Sequence, residues 1–233
     1  MYVDLNLKGK DFDSNCKLAL EAFKYGWNHV NFSYSQENFK DALNFKEELN
    51  NRLDDISIDY TLEIKSNNPN EIRKLVKKFR NEANCISVVG GDLKINRAVC
   101  ENIQLDILSR PYFKRYDSGL NHILAKLAVE NNVAVELSFN DILKSYLSNR
   151  AKILANWRDI YTLYRKFDFP LIISSKAESV FDIRSPRDIG SFLKITGLTD
   201  EEITRIFSHP QKILEFNRNR DNLILKGVKV VSK

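Results

Sequence analysis

The chain has 233 residues, of which 43% are hydrophobic and 29% charged, with 36 Lys and Arg against 31 Asp and Glu for a formal charge of +5. That is an ordinary globular mixture, and it excludes collagen-like, coiled-coil and wholly disordered chains. Length alone allows one large domain or two small ones, and a single domain of this size buries roughly 70–75% of its unfolded surface without staples.

In chain order, Tyr2 to Leu7 alternates, with Val3, Leu5 and Leu7 on one side, and predicts a strand; Asp13-Ser14 then caps a helix carrying Leu18, Ala22 and Tyr25. The pattern repeats as strand His29 to Tyr34 with a helix from Ser35, and as strand Ile56 to Ile64 with a helix from Pro69. It continues with the run Ile86 to Val89, a helix Leu93 to Glu101, a strand Leu105 to Leu108, and a helix from Asp117 or Ser118 to Asn131. Strand Val133 to Leu137, a helical stretch Asp141 to Phe167, broken or continuous, and strand Pro170 to Ser174 follow. Ser185 to Arg220 reads as two or three helices with turn signals at Gly197 and Pro210.

Seven strands alternating with helices, with no Pro/Gly/Ser-rich linker, predict one α/β domain over residues 1–220 built on a parallel sheet. The sheet is either open and doubly wound or closed. No G-x-G-x-x-G word follows the first strand, which favours a TIM-barrel-like (β/α) barrel of about seven strands with extra C-terminal helices. Residues 221–233 form a tail, either a loose end or a docking strand.

Cys16, Cys85 and Cys100 fit neither a disulfide framework nor a zinc site. With no basic region followed by an apolar run at the start, and no stretch near the ~18 apolar residues of a spanning helix, the expectation is a cytoplasmic chain without a membrane segment. Charge is uneven. Residues 1–143 carry 19 cations against 21 acids, whereas residues 144–233 carry 17 against 10, so an anionic partner, nucleic acid first, stands beside a merely solvated basic surface.

In a barrel, working residues sit at the carboxyl ends of the strands. Here these ends offer Asn6, Lys8, Glu63, Gly90-Gly91-Asp92, Ser109-Arg110, Glu136 and Ser174-Ser175-Lys176, with acids but no histidine. His29, His122 and His209 show no pairing at metal-ligand spacing. Gly90-Gly91 permits a tight turn, with Lys94 and Arg97 projecting from the helix that follows, and His122 shares a helical face with Lys126. In the word Ser174 to Asp188, Arg184 and Arg187 flank a Ser-Pro helix start where guanidinium groups and free N–H groups can meet one phosphate, or where Arg184 pairs with Asp182 or Asp188.

Five ordered words, Tyr2 to Asn6, Gly90 to Ala98, Asp117 to Lys126, Arg150 to Leu154 and Phe181 to Asp188, together resemble the archaeal ribonuclease P protein component 3 family. The resemblance implies a barrel related to the polymerase and histidinol phosphatase metal hydrolases. It also implies a protein subunit that supports the catalytic ribonuclease P RNA in removing the 5′ leader from precursor tRNA, beside a second small protein subunit. The Mg²⁺-dependent chemistry would then belong to the RNA, with no cofactor, metal or catalytic residue in this chain. Where the metal hydrolases carry Asp-Leu-His-x-His, this chain has Asp4-Leu5-Asn6-Leu7-Lys8, and where they carry Asp-Ala-His it has Lys176-Ala177-Glu178. The chain departs from the resembled family at Lys176, where an acid is more usual, and at Arg110, where a histidine is. On this reading Lys94, Arg97, His122, Lys126, Lys176, Arg184 and Arg187 are the RNA- or partner-binding candidates, with Gly90 and Gly91 forming the turn. The competing expectations are a metal-dependent phosphoesterase using Asp4, Glu63, Glu136 and Glu178, and a barrel that contacts only another protein.

Overall fold

The computed structural model describes residues 1–220, together with the backbone of segments 223–225 and 228–229. Seven parallel strands stand in sequence order: β1 Val3–Lys8, β2 His29–Ser35, β3 Ser57–Ile64, β4 Cys85–Val89, β5 Ile107–Ser109, β6 Ala134–Ser138 and β7 Leu171–Ser174. They curl into a nearly closed TIM-barrel-like α/β fold. Across the remaining seam the amide of Lys8 donates to Ala177 O at 2.9 Å and that of Ser175 to Asp4 Oδ2 at 3.0 Å.

Around this sheet run α1 Phe12–Lys24, α2 Phe39–Leu43, α3 Lys46–Arg52, α4 Pro69–Phe79, α5 Leu93–Cys100, α6 His122–Glu130, α7 Phe139–Leu143, α8 Leu147–Phe167, α9 Pro186–Thr196 and α10 Asp200–Arg218. The local chemistry starts each where a cap stands. Asp92, Asn121 and Ser185 accept from first-turn amides of α5, α6 and α9, and Thr199 with Glu202 forms a capping box on α10.

Strand residues alternate between two environments. Tyr60, Leu62, Ile86, Val88, Leu108, Val135, Leu137, Leu171 and Ile173 face the helices in the main core. Inside the barrel, Val3, Leu5, Cys85, Ile107, Ala134 and Ile172 form an apolar layer that Ile213 and Leu214 of α10 complete. Above it the interior turns polar.

A bulge in β1 makes that change. The register runs Asp4↔Val30 and then Leu7↔Phe32, so one extra residue stands opposite β2. An extra residue flips side-chain parity. Val3 and Leu5 therefore lie in the inner layer while Leu7 joins the outer core, which corrects the single face expected from the alternation. Asn6 and Lys8 are turned into the barrel mouth, where their side chains reach Glu136 and Glu63.

Other boundaries also differ. The helix expected from Ser35 is two short ones, α2 and α3, because Ser35 belongs to β2. The stretch from Asp141 to Phe167 is broken between α7 and α8. The helix expected from Asp117 begins only at His122, because Asp117 is taken by Arg115 and the amide of Gly119. Pro210 marks no turn: α10 runs through it, one backbone bond being outweighed by burial of Ile206, Phe207, Pro210, Ile213 and Leu214. Segments Leu223–Leu225 and Val228–Lys229 pair antiparallel with each other; the rest of the 221–233 tail lies outside the described residues.

Candidate functional site

The carboxyl ends of the strands enclose an ionic cluster. Lys176 is 2% exposed, and its ammonium lies 3.1 Å from Glu63 Oε2 and 3.4 Å from Glu136 Oε2. Lys8 pairs with the same Glu63 oxygen. Glu136, fully buried, also accepts from Asn6 Nδ2 at 3.1 Å and from the Ser174 hydroxyl. Asp4, at the seam, accepts from the amides of Asn6 and Ser175.

The environment sets the charges. Burial pushes the Asp4 carboxyl up to about 6, although its hydrogen bonds oppose this. Burial would raise Glu63 as well, but the ammonium groups of Lys176 and Lys8 outweigh it and hold that carboxyl well below the ordinary carboxylate range. Burial, with repulsion from Lys176, brings Lys8 down to about 8 against the pull of Glu63. Two lysines thus face the carboxylates of Glu63 and Glu136, with Asp4 beside them at the seam.

Of the phosphoesterase ligands anticipated from sequence, Asp4, Glu63 and Glu136 converge here. Glu178 does not, being exposed and paired with Lys144 at 2.6 Å. Divalent-metal sites need converging carboxylate or imidazole lone pairs, and here ammonium groups occupy the space those lone pairs point into. The residues present do not fit a metal.

Lys176, expected at an RNA surface, is thus inside the mouth, its charge engaged by carboxylates; only its internal partners were invisible from sequence. Of the other candidates, Lys94, His122 and Arg187 stand in the first turns of their helices, whereas Arg97 lies in the last turn of α5, Lys126 midway along α6 and Arg184 just before α9. Lys94 and Arg97 stand on α5 and His122 and Lys126 on α6, neighbouring helices on the outer surface. Arg97 Nε pairs with Glu101 at 2.7 Å, one turn on. Arg184 pairs with neither Asp182 nor Asp188; its Nη1 donates to Phe181 O at 2.8 Å and Ile183 O at 2.7 Å, holding a short 3₁₀ turn at Val180–Asp182. Arg187, one residue into α9, is exposed.

Gly90 and Gly91 permit a close approach. Gly91 has φ +117, and a Cβ there would stand 2.4 Å from Phe113 O; one on Gly90 would stand 2.6 Å from Asn96 Oδ1. Sequence reasoning passed over Asn96, which lies wholly buried and fastens this region: its Nδ2 donates to Pro111 O and Gly119 O, and its Oδ1 accepts from the Gly91 amide. The available signal was an asparagine on the buried face of a short amphipathic helix.

Comparison with known proteins agrees with this geometry. The model of the RNase P subunit p30 family matches residues 1–222. Ribonuclease P protein component 3 of Methanothermobacter thermautotrophicus is 40% identical over 233 residues, covering 99% of this chain and 95% of that protein, and its counterpart from Methanococcus maripaludis is 36% identical over 230 residues, covering 94% and 95%. Among solved structures, a chain of an archaeal ribonuclease P with mature tRNA superposes with a TM-score of 0.85 at 32% identity, covering 99% of this chain and 98% of that one. The histidinol phosphate phosphatase of Lactococcus lactis, solved with zinc, L-histidinol and phosphate, shares the fold alone, with a TM-score of 0.58 and 11% identity over 85% and 94% of the two chains. Because the family match runs unbroken from the bulged first strand through α10, and so takes in both the barrel wall and its lysine-filled mouth, this chain belongs to the RNase P subunit p30 family.

Proposed function

We propose that this ribonuclease P subunit is a non-catalytic, RNA-binding scaffold: it supports the enzyme's RNA in removing the 5′ leader from precursor tRNA, alongside a second small protein subunit, in the cytoplasm. The observation that carries the non-catalytic reading is the placement of the Lys176 ammonium between Glu63 and Glu136, with Lys8 on Glu63. It uses the carboxylates that a hydrolytic metal would need. Mg²⁺ then acts with the RNA, and the chain contributes shape and positive charge.

The rim cations Lys94, Lys126 and Arg187 are exposed on helices that begin at the strand ends, and meet no carboxylate among the described residues. Such cations recognise the backbone and form of a structured RNA more than its sequence. Arg184 and Lys176 fit this role less well, since both are engaged internally.

The test is reconstitution. Purified chain with Mg²⁺ and precursor tRNA gives no cleavage; adding the ribonuclease P RNA and companion proteins gives 5′ maturation that weakens when this chain is omitted. Cleavage by the RNA-free chain, lost on Glu63→Gln or Glu136→Gln, would overturn the reading.

A further inference from the structure

Beside the ionic cluster the barrel mouth opens into a cavity of about 490 Å³, whose lining contains seven lysines and arginines against Asp141 and Glu178. That volume is in the range of small-molecule sites. Most of the cations have partners. Lys8 and Lys176 hold Glu63, Arg115 grips Asp117, Lys144 reaches Glu178, and Arg110 Nη1 stands 3.3 Å from Asp141, the single hydrogen bond made by that side chain among the described residues.

Lys114 and Lys152 are different. Neither meets a carboxylate among the described residues: the Lys114 ammonium lies 5.5 Å from the Phe113 ring, and that of Lys152 lies 3.5 Å over the ring of Tyr116. One comes from the loop after β5 and the other from α8, so two uncompensated charges face one cavity from separate segments. The backbone is also strained here. Of six non-glycine residues with positive φ among the described residues, Arg110 (φ 50), Lys114 (φ 57) and Lys176 (φ 48) line this cavity. Such strain persists where surrounding structure over-determines it, commonly at ligand clamps.

At the edge of the cavity Tyr116 is 93% exposed. An exposed aromatic ring that holds the Lys152 ammonium over one face, close to a second cation without a carboxylate among the described residues, matches an unpaired nucleotide, whose phosphate needs charge and whose base needs the ring's other face. A duplex offers phosphates but keeps its bases stacked away from such a ring.

We propose that the barrel mouth binds one unpaired ribonucleotide, its phosphate held between Lys114 and Lys152 and its base stacked on Tyr116. The proposal rests on the reading of this chain as an RNA-binding subunit, and names where and in what form RNA is taken.

The test uses the full chain and a short fluorescein-labelled oligouridylate, followed by anisotropy over a salt series. The variants are Lys114→Asn, chosen because asparagine tolerates positive φ, Lys152→Gln, their combination, and Tyr116→Ala. The double variant is expected to bind the oligouridylate roughly tenfold or more weakly and to make the log–log salt slope shallower by about 0.7 to 1, the share of one phosphate. Tyr116→Ala is expected to weaken binding by about tenfold through lost stacking. Inorganic phosphate should compete with the wild type. Wild-type affinity and slope in the double variant, with unchanged melting curves, would overturn the proposal; so would normal oligouridylate binding combined with lost capture of a companion protein subunit, which would make this face a protein interface. If these variants bind oligouridylate normally while the wild-type chain still stimulates reconstituted cleavage, the nucleotide site fails and the subunit reading stands. If the variants lose the oligouridylate but the wild-type chain adds nothing to reconstituted cleavage, the site stands and the scaffold reading fails.

Discussion

The ammonium of Lys176 sits 3.1 Å from Oε2 of Glu63, a residue 113 positions away on the opposite side of the barrel, and the lysine is 2% exposed. This pair, extended by Lys8 and Glu136, closes the centre of a barrel whose fold relatives include a zinc-bound phosphatase.

Breaking that pair from one side should be costly. Lys176→Met keeps the length of the side chain but leaves Glu136 without its ammonium and Glu63 with Lys8 alone, so urea unfolding is expected to show a loss of about 3–5 kcal/mol. Combining it with Glu136→Gln should recover part of that loss, because the remaining buried charge is then removed. Additive losses would mean that the two residues are not coupled.

Asp4 makes a second prediction, through pH. Its carboxyl ionises near 6 in the folded chain and near 3.8 unfolded. Between those values the folded state holds the extra proton, so this group favours folding below about pH 4 and its contribution is lost as pH rises through about 6. The difference corresponds to roughly 3 kcal/mol. Asp4→Asn should therefore flatten a falling component of stability between about pH 4 and 6, measured by urea unfolding at stepped pH. Glu63 has the opposite sign: its depressed carboxyl favours folding above about pH 4.5, and that contribution is lost only as pH falls below the ordinary carboxylate range.

The Asn96 fastening is open to the same measurement. Asn96→Ala removes two donors and an acceptor from buried partners, Pro111 O, Gly119 O and the Gly91 amide, and should cost roughly 2–4 kcal/mol. Gly91→Ala should destabilise the same loop through its positive φ and the 2.4 Å approach to Phe113 O. Limited proteolysis should then cut first between residues 110 and 121 in both variants. Resistance equal to that of the wild type would show that the loop is held by other contacts.

The rim arginines should separate in behaviour. Arg184→Ala loses two hydrogen bonds to backbone carbonyls and is expected to lower stability by about 1–2 kcal/mol, any loss of reconstituted cleavage following the melting shift. Lys94→Ala with Arg97→Ala changes only exposed groups, so the melting curve should stay in place while the salt slope of RNA binding becomes shallower by about one to two units. A melting shift in the second pair, or none in the first, would reverse the assignment.

The seven strands, the Ser185-Pro186 helix start and the missing imidazoles at Asn6 and Lys8 were legible in the sequence, because alternation, capping and residue identity are local properties, whereas the Asn121 cap lay hidden inside a helix expected from Asp117. The subunit family was legible too, from words that keep their order along the chain. What tertiary structure alone decided is where the polar residues point and what they meet. The bulge that turns Asn6 and Lys8 inward exists only in the pairing of β1 with β2. Lys176 looks like a surface cation until β3 and β6 bring Glu63 and Glu136 to it, and Arg184 like a phosphate ligand until its turn folds beneath it. Lys114 and Lys152 carry no word of their own and become neighbours only when α8 packs beside the loop after β5. Period and propensity act over a few residues, whereas charge pairing, burial and cavity shape depend on distances between segments far apart in the chain, and those distances are set when the barrel closes.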